Sequence, residues 1–273
     1  MRKVIFFFLA YLGLPILSFA WGPEGHRVVA DLARERLNPT ALEQIRELLG
    51  NDDLAAISTW ADEIRNQRPE TSGWHYVDIP WSADSFSEGR DCYRRDSQHP
   101  SSREDHHNCV VDRIDIFQRV LADPHASPAE RQEALKFLVH FVADLHQPLH
   151  AIEEGRGGNE IHIVEFGRRE CGRLPCNFHY VWDVALIEHS GRSELDYVAY
   201  LNQFIAQKNL QAESGGTPEA WANQSFRLAK QVWLNEGGSV DEAYYRNRIG
   251  ILNTQLARAG LRLATVLNQA LGR

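Results

Sequence analysis

Residues 137–145 read FLVHFVADL, apolar enough to be buried on every side, yet they hold a histidine and an aspartate four residues apart. At helical spacing His140 and Asp144 share one face. A helix that is apolar all round belongs in the interior, where an unpartnered carboxylate is costly. His179 and Asp183 repeat the spacing inside FHYVWDVALI, residues 178–187. Two H-x-x-x-D pairs on separate buried helices are a way to line a metal pocket inside a helical fold.

The rest of the chain agrees with a mainly α fold. Helical periodicity runs over 25–37, 40–49, 54–65, 110–121, 127–145, 181–187, 195–210, 218–234 and 240–271. Ser127-Pro128-Ala129-Glu130 is a strong helix start, with a cap, Pro at the first position and Glu at the third. Residues 66–108 are rich in Pro, Gly, Ser, Asp and Arg, which predicts a long loop region. Within it only 74–79 reads as strand-like, and 161–166 predicts a strand in a small β-hairpin. A content of 43% hydrophobic residues, with 12 Phe and 7 Trp, supports a substantial core.

The first twenty residues stand apart. Arg2 and Lys3 precede a mostly apolar stretch, and Ser18-Phe19-Ala20 is a small-x-small exit. This is the pattern of a secretory signal peptide cut after Ala20, leaving residues 21–273 as one domain. The apolar stretch is interrupted by Gly13 and Pro15 and is short for a membrane span. No membrane anchor is therefore expected after cleavage, and a secreted or periplasmic monomer is. Cleavage would leave Trp21 first, with a free α-amine five residues before His26, close enough for both to reach one ion.

Export permits disulfides. Four cysteines allow three pairings; Cys92–Cys109 with Cys171–Cys176 is expected because each closes a short irregular loop. No C-x-x-C pair favours zinc binding instead. The chain carries a net charge of −8, which argues against non-specific duplex binding. Bound divalent ions reverse that sign locally, so phosphate-ester chemistry at a metal site is compatible with it.

The candidate ligands are His26, Asp62, His75, His140, Asp144, His150, His179 and Asp183. Imidazole with a minority of carboxylate suits Zn²⁺ rather than Mg²⁺ or Ca²⁺. Eight side chains and an amine exceed one tetrahedral ion and suit two or three. His99, His106, His107, His125 and His189 sit in polar contexts and are expected to be exposed. His146 and His162 read equally as groups supporting the ligands or as satisfied buried histidines. Asn223-Gln224-Ser225 is a glycosylation sequon, but it falls inside a predicted helix and carries little weight.

The motifs, in order, are W-G-x-x-G-H at 21–26, W-A-D-x-I-R at 60–65, H-Y-V-D at 75–78, H-F-V-A-D-L-H-Q-P-L-H at 140–150, G-G-N at 157–159 and N-F-H-Y-V-W-D at 177–183. On these the chain closely resembles the S1/P1-type zinc nucleases. The resemblance implies the helical fold shared by zinc phospholipase C and P1 nuclease, and three zinc ions. One would take Asp62, His75, His140 and Asp144. A second would take the Trp21 amine and carbonyl, His26 and the bridging Asp144; a third would take His150, His179 and Asp183.

The resemblance further implies catalytic roles for Asp62, Arg65 and Asp144, with Arg65 beside the scissile phosphate. Tyr76 would stack on a base, Asp78 would hydrogen-bond its edge, and Asn159 would contact substrate. The implied activity is cleavage of single-stranded DNA and RNA to 5′-phosphorylated products, with 3′-nucleotidase action on 3′-nucleotides. A zinc phospholipase C-like lipid phosphodiesterase is the alternative. Residues 168–176 depart from the family pattern by their length and their own cysteine pair, which bears on the substrate subsites and leaves the metal ligands alone.

Overall fold

The computed structural model describes residues 21–92 and 108–272. The signal-peptide expectation for 1–20, and those for His99, His106 and His107, lie outside the described residues. Twelve α-helical segments are described. They begin with α1 (Pro23–Arg34), α2 (Pro39–Leu49), α3 (Leu54–Ile57), α4 (Trp60–Glu63), α5 (Glu88–Asp91) and α6 (Val110–Ala122). They continue with α7 (Pro128–His146), α8 (Phe178–Tyr180), α9 (Leu186–His189), α10 (Glu194–Lys208), α11 (Pro218–Val232) and α12 (Glu242–Leu271). The fold is mainly α, as the periodicity predicts.

The apolar helix lies at the centre. From Ala134 to His146 all but Lys136 of α7 is buried, and it packs against α6, α11 and α12. Its start is a capping box: the Glu130 amide donates to Ser127 Oγ at 3.3 Å, and the Ser127 amide donates to Glu130 Oε2 at 2.8 Å. Helix α12 crosses α1 closely at Gly260, where a Cβ would stand only 2.6 Å from Leu32 Cβ. This crossing brings the start of the domain against the interior.

Three local expectations are corrected. The helix expected over 54–65 is broken into α3 and α4 at Ser58-Thr59. The break frees the Ser58 carbonyl from the helical ladder, and that oxygen accepts from His140 Nδ1 at 2.7 Å. The strand-like run 74–79 is instead the end of a 3₁₀ turn, Pro69–His75, followed by extended backbone. That backbone makes isolated bonds, the Val77 amide to His150 O (2.8 Å) and the Val110 amide to Tyr76 O (3.1 Å), rather than a ladder.

The hairpin is also displaced. Strand β1 (Val164–Glu165) pairs in parallel with β4 (Ser239–Val240), whereas the antiparallel hairpin is β2 (Glu170–Cys171) with β3 (Leu174–Pro175). The segment 161–166 does turn back on the chain that follows it, through antiparallel bridges of Glu165 with Arg168 and His162 with Asn177, but the alternation gave no sign of the parallel partner some seventy residues away in sequence. Both disulfides have the expected pairing, Cys92–Cys109 and Cys171–Cys176. The second staples the hairpin. No helix among the described residues is long and apolar enough to cross a membrane.

Candidate metal centre and nucleic-acid cleft

Helix α7 carries His140 and Asp144 on one face, and both are completely buried. Helix α1 supplies His26, whose ring stacks on His140 at 3.9 Å between centroids. Helix α4 supplies Asp62, and the 3₁₀ turn supplies His75. The two oxygens of Asp144 face different imidazoles. Oδ1 lies 3.3 Å from His26 Nε2, while Oδ2 lies 3.0 Å from His75 Nδ1 and 3.3 Å from His140 Nε2. Asp62 adds oxygens 3.6 Å from His75 Nδ1 and from His140 Nε2.

A second group stands beside it. His150 follows α7, His179 sits in α8, and Asp183 lies on a π-helical turn, Val181–Ala185, between α8 and α9. Such turns are rare and recur at functional sites. Here it sets Asp183 Oδ2 3.2 Å from His179 Nε2 and Oδ1 3.8 Å from His150 Nε2. Gly157 has φ 63°, and a Cβ there would stand 2.5 Å from Leu149 O and 3.3 Å from His179 Nδ1. Glycine lets this turn close onto the site.

The tautomers are set by carbonyls. A carbonyl can only accept, so Nδ1 carries the proton in His140 (to Ser58 O, 2.7 Å), His150 (to His75 O, 2.9 Å) and His179 (to Gly157 O, 2.7 Å). When neutral, each ring turns an Nε2 lone pair inward, as metal-ligating histidines do. Five buried atoms of these candidate ligands have no hydrogen-bond partner: both ring nitrogens of His26, His75 Nε2, His150 Nε2 and Asp144 Oδ1. Buried polar atoms are ordinarily satisfied. Three His/Asp groups have ligand atoms close enough to hold an ion: His26-Asp62-His140, His75-His140-Asp144 and His150-His179-Asp183. The donor chemistry and the orphaned atoms both fit divalent metal ions.

The charges fit as well. Burial, with His140 nearby, pushes His26 down to about 4, and burial beside His150 pushes His179 down to about 3. Both are neutral at pH 7 and need lose no proton to ligate. Burial alone would lower His140, but Asp144 and Asp62 outweigh it and hold the ring at about 9. Asp144 is correspondingly held well below the usual carboxylate range, its three imidazole neighbours overcoming burial. Burial raises Asp183 well above that range.

One consequence is a proton count. Metal loading at pH 7 is expected to release about one proton per chain from His140, plus any held by Asp183 and by an α-amine at Trp21 that binds the ion. Apparent affinity should rise with pH until His140 is neutral, near pH 9. Titration calorimetry in buffers of different ionisation enthalpy measures this, and zero release at pH 7 would refute a protonated His140.

The groups open into a cleft of about 770 Å³. His75, His150 and His179 form its inner wall, and Arg65, Tyr76, Asp78, Asn159 and Asn177 line it with them. Arg65 is held by Asp62, with Nη1 donating to Oδ1 at 3.2 Å, so a guanidinium is fixed at the mouth. The first described residues are pinned at the same place. Trp21 is fully buried, its Nε1 donates to Ala143 O at 2.9 Å, and the Gly22 amide donates to Asp183 O at 2.6 Å.

The S1/P1 Nuclease family profile matches residues 21–272. The chain belongs to the S1/P1 nuclease family. It is therefore a nuclease, a hydrolase of nucleic acids. It is 29% identical to Endonuclease 2 of Arabidopsis thaliana, over 92% of this chain and 91% of that protein. It is 28% identical to Nuclease P1 of Penicillium citrinum (92% and 98% of the two chains) and to Nuclease S1 of Aspergillus oryzae (95% and 94%).

All the nuclease's sequence-predicted site residues gather at this cleft or directly beneath it. Two uncertain histidines separate. His146 points away from the centre: Nδ1 donates to Val142 O and Nε2 accepts from Arg262, both at 2.7 Å. His162 is half-exposed, 3.2 Å from Glu236. His189 is exposed yet stacks on Phe166 at 3.8 Å. Sequence reading missed Gln147, which is fully buried and donates through Nε2 to Asp183 Oδ1 at 2.7 Å. Its place between two ligand-bearing turns was the available signal; its partner, 36 residues on, was not legible.

Proposed function

We propose that this nuclease is an exported, monomeric, zinc-dependent phosphodiesterase that cuts single-stranded DNA and RNA to 5′-phosphorylated products and also dephosphorylates 3′-nucleotides. The observation that carries the reading is the union of buried His/Asp groups with a cleft holding Arg65, Tyr76 and Asp78. Asp62, His75, His140 and Asp144 would hold one ion. Trp21, His26 and the second oxygen of Asp144 would hold another, and His150, His179 and Asp183 a third. Bound zinc supplies a Lewis acid that lowers the pKa of water to roughly 7 and stabilises the leaving 3′-oxygen.

The protein's own groups do the rest. Arg65, oriented by Asp62, offsets charge building on the phosphate oxygens. Tyr76 offers a ring for a base, Asp78 accepts from the base edge, and Asn159 binds along the cleft wall. A base lying on Tyr76 has left its own stack, which favours single strands over duplex. Residues 1–20 act as the export signal, and their removal exposes the Trp21 amine.

The test is a panel: single-stranded DNA, RNA, 3′-AMP and phosphatidylcholine, with zinc and with EDTA. Nucleic-acid and 3′-AMP hydrolysis is expected, falling on chelation by roughly 10³-fold or more, because several kcal/mol of charge stabilisation is lost. Activity that survives EDTA would overturn the zinc mechanism, and lipid hydrolysis without nucleotide release would overturn the substrate class.

A further inference from the structure

One aromatic ring near the cleft serves no purpose in the scheme above. Trp81 is 40% exposed, in a protein that buries Trp21 and Trp182 completely. Its ring is nevertheless held in place. Trp233 meets it edge-on, with centroids 5.6 Å apart and planes at 66°, and Lys230 Nζ lies 5.7 Å from its centroid. Lys230 is itself tied by donating to Ala83 O at 3.1 Å. Trp233 rests in turn on Phe178, the residue before His179, at 5.7 Å.

A short run of backbone joins this ledge to the cleft residue Asp78. The Glu153 amide donates to Ile79 O at 3.0 Å, which sets the run from Asp78 to Trp81 against the wall formed by Ile152 and Glu153. Three residues span at most about 11 Å. An extended single strand advances on the order of 6 Å per nucleotide, roughly twice the duplex step. A base one or two nucleotides from the one at Tyr76 and Asp78 therefore comes within reach of Trp81.

We propose that Trp81 is a second stacking platform, taking a neighbouring base of the same single strand, with Lys230 beside it favouring the anionic backbone. An exposed flat indole on a fixed support stacks on any base, since every base has a π-face. A cation next to the ring suits a polyanion, and Lys230 Nζ, 5.7 Å from the Trp81 centroid and 4.3 Å from that of Phe226, supplies one. The inference rests on the single-strand reading given above.

The experiment compares zinc-loaded wild type, Trp81→Ala and Trp81→Phe. Binding of a phosphorothioate-linked single-stranded octanucleotide is followed by anisotropy and by quenching of indole fluorescence. Trp81→Ala is expected to bind about 10- to 100-fold more weakly. Trp81→Phe, which keeps a flat ring, should recover most of that loss. The rise in KM on the oligonucleotide should exceed any change on 3′-AMP by about tenfold or more, with kcat little altered. Oligonucleotide affinity equal to wild type in Trp81→Ala would overturn the platform. So would equal losses on oligonucleotide and 3′-AMP, which indicate a packing role. If wild type itself neither bound nor cut single strands, the functional reading would fall first; normal wild-type behaviour with an unaffected variant sinks the platform alone.

Discussion

If the nuclease holds the three zinc ions proposed, Asp144→Asn is expected to cost it about two of them and to lower kcat by roughly 10³-fold or more. Asp144 is buried, and its two oxygens face three imidazoles, His26 on one side and His75 and His140 on the other, which the proposal divides between two ions. Asparagine keeps the volume but exchanges one acceptor oxygen for an NH₂ donor, which cannot ligate and would face imidazole lone pairs. His140 would also lose one of the two carboxylates that hold its proton, so the proton released on metal loading should shrink in the variant. Zinc by atomic spectroscopy, kcat on 3′-AMP and circular dichroism decide the matter. A folded variant with full zinc and near-normal kcat would refute the bridging role.

The second large effect concerns the start of the domain. A protein with one extra residue before Trp21 is expected to lose about one zinc ion and most of its activity, on the order of 10²-fold. The extension would turn the proposed ligating amine into an amide whose nitrogen has no available lone pair. The free α-amine has an ordinary pKa of about 8, so at pH 7 it is roughly nine-tenths protonated and an ion must displace that proton to be held there. The surrounding structure is already arranged for this end. Trp21 is locked to Ala143, the neighbour of Asp144, and Gly22 to the backbone of Asp183. Native-sized zinc content and activity in the extended protein would show that the amine is dispensable.

Much of the site was legible because helices convert spacing into position. His140 with Asp144, and His179 with Asp183, had to share faces once their stretches were helical, and burial made the carboxylates costly without a ligand. Spacing could not bring the pairs together across elements. His75 approaches Asp144 only because the 66–80 region takes a 3₁₀ turn and then runs extended beside His150. His140 presents Nε2 only because a helix expected to be continuous breaks at Ser58 and aims a carbonyl at Nδ1. The same limit explains the hairpin. Alternation over 161–166 marked an extended segment, but strand pairing is non-local, and β1 found Ser239–Val240.

By itself, the sequence determined the helical class, the capped central helix and the two His/Asp pairs that helical spacing sets on shared faces, and it favoured one disulfide pairing of three. These follow from local rules: periodicity, capping, short loop closure and the cost of burying charge. The tertiary structure alone decided which nitrogen of each histidine faces inward, how the two oxygens of Asp144 are divided, that Gln147 rather than His146 supports the ligands, and that Trp81 stands open beside the cleft. Each depends on groups far apart in the chain arriving within about 3–4 Å, the range at which hydrogen bonds and ring contacts act. No spacing rule along a sequence encodes that distance.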